Sequence, residues 1–405
     1  MEQPMEQPME QPVDAHFTTR AVHAGRDDFA ALGVHAPPLD LSSTYPTPDL
    51  DAAARSFDSL VMGDAPQGSF VYQRLFNPTT DRFERGLALL EGAEDAAAFG
   101  SGMAALTATL LAAKSRGTHV VAVRPMYGTA DHLLTSGLLG MTVTWTTQDA
   151  VGSVMQADTG LVIVETPANP TLALVDIAHV VRQAGAVPVL VDSTFATPVL
   201  QRPLEQGAAL VIHSATKFLG GHGDVLAGVV VGSHALVREI KHVRVATGGL
   251  LHPMGSYLLH RGLPTLALRV ERAQSTAGIL AQQLVGDARI ARVHYPSLPG
   301  QDPRGLLGTQ MDGPGSVLSF ELARDDAATL RAFVAALRLI TPAVSLGSTD
   351  TLIQPPALLT HRVVKEDARR AAGIAGGLLR LSAGLEDARD LWRDLEHALQ
   401  VVDAR

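Results

Sequence analysis

The chain has four lysines among its 32 basic residues: Lys114, Lys217, Lys241 and Lys365. Lys217 alone has a setting in which an amine can do chemistry. It lies in the run His213-Ser214-Ala215-Thr216-Lys217-Phe218-Leu219-Gly220-Gly221-His222-Gly223-Asp224, behind an apolar stretch and ahead of a glycine cluster. Arginine stays protonated in a protein, whereas a desolvated lysine can lose its proton and attack a carbonyl as a free amine. A chain that uses arginine almost everywhere else thus keeps a lysine where arginine could not serve.

Other reactive groups fall near the ends of short apolar runs. Leu161–Glu165 leads into Thr166-Pro167-Ala168-Asn169-Pro170, Val187–Asp192 ends on Asp192, and Ala209–His213 leads into Ser214, Thr216 and Lys217. Ligands of parallel α/β sheets bind at the carboxyl ends of the strands, so these side chains are expected on one rim. Upstream, Ser101-Gly102-Met103 opens an alanine-rich helix. A glycine turn at a helix N-terminus offers unpaired amides to an anion. Each feature alone has a plain structural use: Asp192 as a helix cap, the Ser-Gly pair as a turn, Lys217 as a surface charge. Together they supply a phosphate seat, a carboxylate for a ring nitrogen and an amine for an aldehyde, which pyridoxal phosphate needs.

The elements that must carry these groups alternate. Thr118–Arg124, Met141–Thr146, Leu161–Glu165, Val187–Asp192 and Ala209–His213 read as buried strands, with a helix over Val175–Gly185. Near-continuous apolar strands between helices predict a mostly parallel sheet covered on both faces. A long helix near 262–290 marks a change. Strands at Arg292–Tyr295, Ser316–Leu322 and Leu378–Ala383 and helices at Asp326–Leu337 and Asp387–Val402 follow it, as expected of a smaller α/β domain. The expected division is a disordered repeat at 1–12, an extended proline-rich arm at 13–70, a cofactor domain at 71–262 and a C-terminal domain at 263–405.

Composition narrows the classes. The formal net charge is −9 with no basic block, so neither nucleic acid nor a membrane surface is expected as a partner. Cysteine is absent, which rules out disulfides, thiolate catalysis and Cys-based metal sites. The opening MEQPMEQPMEQP is polar and repetitive, unlike a signal peptide, and a cytoplasmic location is the default. His213 and His222 lack the spacing of a metal-binding helix face, and no metal is expected. A nicotinamide oxidoreductase would need G-x-G-x-x-G between a strand and a helix, and Gly220–Gly223 has no such context. A silent binding protein is disfavoured by the full set of cofactor-handling residue types.

The segment Ser214-Ala215-Thr216-Lys217 with Gly220-Gly221-His222-Gly223-Asp224 resembles the cofactor-attachment segment of the Cys/Met-metabolism pyridoxal phosphate enzymes. Tyr72-Gln73-Arg74 before Asn77-Pro78-Thr79, Ser101-Gly102-Met103, Tyr127-Gly128, Glu165–Pro170, Asp192, Ser345-Leu346-Gly347, Thr360-His361 and Arg380–Asp387 follow in the family's order. The resemblance covers roughly residues 15 to 400. It implies the PLP-dependent transferase-like architecture, fold type I, with a mostly parallel central sheet and a smaller C-terminal α/β domain. It also implies pyridoxal 5'-phosphate as cofactor. The family is usually a homotetramer, a dimer of dimers with active sites shared between subunits.

The same resemblance implies the roles. Lys217 attaches the cofactor and moves protons, and Asp192 pairs with the ring nitrogen. Ser101, Gly102, Met103, Ser214 and Thr216 hold the phosphate, with Tyr72 and Arg74 reaching the neighbouring subunit's. Tyr127 stacks on the ring and acts near the leaving group. Asn169 and Ser345 assist, Arg380 clamps the substrate carboxylate, and Glu165 plays a supporting part. Within the family, apolar Val71 and the runs around Glu165 and Lys217 are similar to the methionine γ-lyases. The expected activity is therefore α,γ-elimination of a sulfur amino acid, L-methionine, to methanethiol, 2-oxobutanoate and ammonia. Thr129 stands where that branch carries cysteine, Arg244-Val245 where it carries Lys-Asp, and Asp350 where cystathionine enzymes often have Glu. Cystathionine γ-lyase and cystathionine γ-synthase or O-acylhomoserine sulfhydrylase activities are the alternatives.

Overall fold

The computed structural model describes residues 15–324 and 326–403; the repeat expected to be disordered at 1–12 lies outside them. Seven strands form the larger sheet: β1 (Asp95–Phe99), β2 (His119–Val123), β3 (Thr142–Thr146), β4 (Thr159–Glu165), β5 (Val189–Asp192), β6 (Leu210–His213) and β7 (Gly228–Gly232). Their order is β1-β7-β6-β5-β4-β2-β3. From β6 to β3 every pairing is parallel, and β7 runs antiparallel to both neighbours. Every residue of β2, β4, β6 and β7 is buried, which explains why their interiors are apolar runs rather than alternating, with polar residues such as His119, Thr159, Glu165 and His213 only at the strand ends. Each fully buried Val, Leu or Ile contributes about 1.5–3 kcal/mol, so a charge placed mid-strand in β4 would break the sheet.

Helices cover this sheet, and their starts are capped by side chains. Asn77 accepts from the amides of Thr79 and Thr80 at the head of Pro78–Glu91, and Asp176 accepts from His179 at the head of Ile177–Ala184. Ile177, Val180 and Ala184 form the buried stripe of the latter helix. The arm departs from expectation. It contains helices at Phe17–His23 and Leu50–Val61, the second capped by Asp49 and burying Ala53, Ser56, Ser59 and Leu60.

Helix Leu266–Val285 follows the larger sheet and buries Val270, Ala273, Ala277, Leu280 and Leu284. Beyond it, β8 (Ile290–His294), β9 (Val317–Leu322), β10 (Thr341–Pro342), β11 (Leu352–Gln354) and β12 (Leu378–Ser382) make a five-stranded sheet ordered β10-β11-β12-β9-β8. One apolar core joins the two sheets, with Val211, Leu259 and Phe218 in the same cluster as Leu280, Val317 and Leu381. The expected α/β architecture, a mostly parallel sheet plus a smaller one, is the architecture found. Among the described residues, no helix is long and apolar enough to cross a membrane.

Candidate active site

Strand ends β4, β5 and β6 meet the second sheet's segments around one pocket. Its lining includes Ser101, Gly102, Met103, Tyr127, Glu165, Asn169, Asp192, Ser214, Thr216, Lys217 and Arg380. Residues far apart in sequence are thus brought together because the parallel strands place their carboxyl ends side by side, Glu165 opposite Asp192 in register.

Lys217 Nζ donates to Ser345 Oγ at 2.9 Å. Burial, and then the charge of Arg380, pull its pKa down to about 8. An amine so placed has a far larger unprotonated fraction near neutral pH than an ordinary lysine and can act as a nucleophile or base. The remaining lysines have other work: Lys241 pairs with Asp95 at 2.7 Å, and Lys114 donates to the Leu139 carbonyl.

Asp192 Oδ1 accepts both the amide and the hydroxyl of Thr194, at 3.0 and 2.5 Å. Burial pushes the Asp192 carboxyl up while these two bonds pull it back. Thr194 Oγ1 also accepts from the Ser214 amide at 2.9 Å, linking the two strand ends. Sequence reasoning missed Thr194; its only signal was a hydroxyl two residues past the strand-end acid.

Ser101 caps helix Gly102–Ala113, accepting from the Ala104 amide at 3.1 Å. A Cβ on Gly102 would sit 3.1 Å from Ser214 Cβ, a tight contact, so glycine at 102 lets the helix start lie close against Ser214 without displacing it. The Thr216 hydroxyl donates to the Ala227 carbonyl at 3.0 Å and accepts the Ala227 amide at 2.9 Å.

Arg380 is 2 % exposed. Its Nη1 donates to Asn169 Oδ1 at 3.0 Å and its Nη2 to the Ser345 carbonyl at 2.9 Å, while Nε is buried without a partner. Burial lowers its pKa to about 10. A desolvated guanidinium bonded only to neutral oxygens is a prepared site for an anionic ligand group. Glu165 accepts the Tyr127 and Asn169 amides at 2.7 Å each, and burial with the neighbouring Asp192 charge raises it well above the usual carboxylate range.

Several expected residues lie away from this pocket. Tyr72 is exposed, with the Arg74 guanidinium 5.7 Å from its ring centroid, and Arg74 donates to the Val245 carbonyl. Val71 packs against the Leu60, Leu75 and Val245 cluster, and Thr129 sits in helix Gly128–Thr135. Asp350 is exposed, and neither it nor Arg244 lines the pocket. Arg244 is buried and held by Glu84 and the Ala98 carbonyl. His213 bonds Glu91 at 2.5 Å inside the core, and His222 Nδ1 lies 2.8 Å from the Gly220 carbonyl.

Residues 18–400 match the family described as Cys/Met metabolism PLP-dependent enzyme. The chain is 55% identical over 393 residues to an L-methionine γ-lyase of Brevibacterium sandarakinum, covering 96% of this chain and 98% of that one. It is 54% identical to an L-methionine γ-lyase of Streptomyces avermitilis, covering 94% and 88% of the two chains. Among solved structures, cystathionine γ-synthase from Xanthomonas oryzae pv. oryzae in complex with aminoacrylate and cysteine superposes with a TM-score of 0.88 at 34% identity, covering 96% and 99%.

Proposed function

Because the chain belongs to the Cys/Met metabolism PLP-dependent enzymes, we propose that it cleaves the C–S bond of L-methionine by α,γ-elimination, releasing methanethiol, 2-oxobutanoate and ammonia with uptake of one water. The observation that carries this reading is the grouping of Lys217, Asp192 and Arg380 in one pocket: an amine of lowered pKa, a strand-end carboxylate and a buried guanidinium bonded only to neutral oxygens.

These residues fit pyridoxal 5'-phosphate. Lys217 is the attachment point, Asp192 the partner of the ring nitrogen, and Tyr127 the stacking ring. The Gly102 and Met103 amides with Ser101, Ser214 and Thr216 form the phosphate seat, where the side-chain-free Gly102 leaves room beside Ser214. When bound, the cofactor supplies an electron sink that makes the substrate Cα–H acidic. Lys217 Nζ takes that Cα proton and delivers protons along the carbon chain. The Tyr127 hydroxyl gives a proton to the leaving sulfur. Arg380 fixes the substrate by its α-carboxylate, with Asn169 and Ser345 holding the fork in plane.

The pocket favours an uncharged thioether. Its acids are Glu165 and Asp192, both at strand ends on its floor, while Leu226, Val344, Leu346 and Phe195 add apolar walls. A distal ammonium such as that of cystathionine would find no acidic partner in this chain's lining beyond Glu165 and Asp192, which already serve the Tyr127 and Asn169 amides and the ring nitrogen. Tyr72 and Arg74, outside the pocket of their own chain, are assigned to the phosphate of a neighbouring subunit, with Val71 and Thr129 beside the substrate end. The assembly is a homotetramer of two such dimers, located in the cytoplasm. Division at 71–262 and 263–405 is supported by the two separate sheets. The test is keto-acid release from L-methionine, cystathionine, homocysteine and O-acetylhomoserine side by side. Turnover of cystathionine with none of methionine would overturn the substrate assignment.

A further inference from the structure

Glu165 and His361 grip the two edges of a single peptide bond. The Tyr127 amide donates to Glu165 Oε2 at 2.7 Å, and the Met126 carbonyl lies 3.2 Å from His361 Nε2. These two atoms belong to the same planar unit, directly before the Tyr127 side chain. Glu165 comes from the end of β4, whereas His361 comes from the turn between β11 and β12. Glu165 has a second task. Its Oε1 accepts the Asn169 amide at 2.7 Å, and Asn169 Oδ1 accepts from Arg380 at 3.0 Å. One carboxylate therefore ties the segment carrying Tyr127 to the residue that steadies Arg380.

We propose that Glu165 and His361 are positioning residues: together they clamp the Met126–Tyr127 peptide so that the Tyr127 hydroxyl is aimed at the leaving group, and Glu165 couples that aim to the Arg380 seat for the α-carboxylate. The inference rests on the lyase reading above. A peptide plane held at both edges resists rotation, so the backbone from which the Tyr127 side chain departs is fixed by two elements from different sheets. The rest of the neighbourhood agrees. Burial pulls His361 down to about 4, so it is neutral with one ring proton. That proton belongs on Nε2, because only N–H can face the Met126 carbonyl, and Nδ1 is left to accept from Thr360 Oγ1 at 3.1 Å. Thr360 is itself bonded to Gln354 at 2.9 Å. Gly128 presses directly on this turn, since a Cβ there would run into the Thr360 carbonyl. Glu165 accepts two amides, so its bonds are to backbone that carries site residues.

The test uses the cofactor-loaded enzyme and three variants: Glu165→Gln, His361→Leu and His361→Gln. Methanethiol release from L-methionine gives kcat and KM. Titration with L-norleucine, which has a methylene in place of sulfur and no leaving group, gives amino-acid affinity through the change in visible absorbance. His361→Leu is expected to lower kcat about 100-fold, as for a misaimed group at the reacting end, with only a small loss of norleucine affinity, since His361 also bonds the Asn169 backbone. His361→Gln, whose amide N–H can reach the Met126 carbonyl, restores most of that loss. Glu165→Gln keeps one acceptor for two amides, so it lowers kcat and also weakens norleucine binding several-fold. Wild-type kcat in His361→Leu, no rescue by His361→Gln, unchanged norleucine affinity in Glu165→Gln, or losses that only follow cofactor release would each overturn the proposal. A wild-type enzyme that releases no methanethiol would sink the lyase reading instead, and the norleucine titrations would still judge the Glu165 coupling.

Discussion

Lys217 Nζ stands 2.9 Å from Ser345 Oγ, across 128 residues of chain. The reactive amine follows β6 of the larger sheet, and the hydroxyl that steadies it lies between β10 and β11 of the smaller one. An oxygen that accepts from an ammonium favours the charged form. Ser345→Ala is therefore expected to push the Lys217 pKa below its value of about 8. The midpoint of the pH profile for amine-selective labelling of Lys217, measured in the apoenzyme, should move down. A midpoint that stays or rises would show that the hydroxyl does not stabilise the ammonium.

Lys217→Arg separates charge from chemistry. Arginine keeps the cation and most of the length but cannot become a free amine. The variant should fold, lose the visible absorbance of the attached cofactor and release no keto acid. Retained turnover would remove Lys217 from the reaction.

Asp192→Asn preserves the shape of the strand end and its bonds to Thr194 while removing the negative charge. If that charge holds the ring nitrogen protonated, kcat should fall about 100- to 1000-fold, in the range of other fixed electrostatic contributions. Thr194→Val should fall less, because it frees Asp192 from one bond at 2.5 Å without neutralising it. Equal losses in the two variants would mean that Thr194 matters for more than Asp192.

Arg244 is a position where the sequence suggested substrate choice and the structure shows bracing. Its guanidinium meets Glu84 and the Ala98 carbonyl, both with little exposure, and Glu84 also accepts the Ala98 amide at 2.7 Å. Arg244→Met would leave the buried Glu84 with only the Lys241 ammonium at 3.9 Å as a cation, a cost of up to about 3–5 kcal/mol, the range seen when one partner of a buried pair is removed. The expected result is a lower urea midpoint with the ratio of kcat/KM for methionine over cystathionine unchanged. A shifted ratio at unchanged stability would return Arg244 to the specificity question.

Legibility followed burial and sequence distance. The inner parallel strands were readable because both faces are covered, so the middles of β2, β4, β5 and β6 are short runs of Val, Leu, Ile and Ala. β7 is equally buried but was hidden between glycines, and Gly228 must be glycine because a Cβ there would collide with the Ser101 carbonyl. β1 is alanine-rich and weak by propensity; it forms by pairing with β7 and packing under helix Pro78–Glu91. In the site, Lys217 and Asp192 were visible because each is a charged residue at the end of an apolar run, whereas Arg380 was reached only through the family resemblance. Glu165, Thr194 and His361 act through backbone groups 20 to 235 residues away, and no local pattern encodes such contacts.

Acid should charge two of the buried histidines, His260 and His361. Burial lowers both His260 and His361 to about 4 from an ordinary value of 6.5. Their folded pKa lies below the unfolded one, so between pH 6.5 and about 4 the unfolded chain binds more protons, and stability falls as pH drops through that window. The full loss, reached below pH 4, is roughly 3 kcal/mol for each histidine as an upper figure. Carboxylates titrate over part of the same range, so the difference between proteins is the decisive quantity. His260 Nε2 meets the Ala24 carbonyl at 2.9 Å, a bond that glutamine can imitate without titrating. In His260→Gln, the urea-derived stability of the apoenzyme should decline less between pH 6.5 and 4.5 than in wild type, with the curves separating progressively toward acid. Parallel curves across that interval would mean that His260 is not held neutral by its burial.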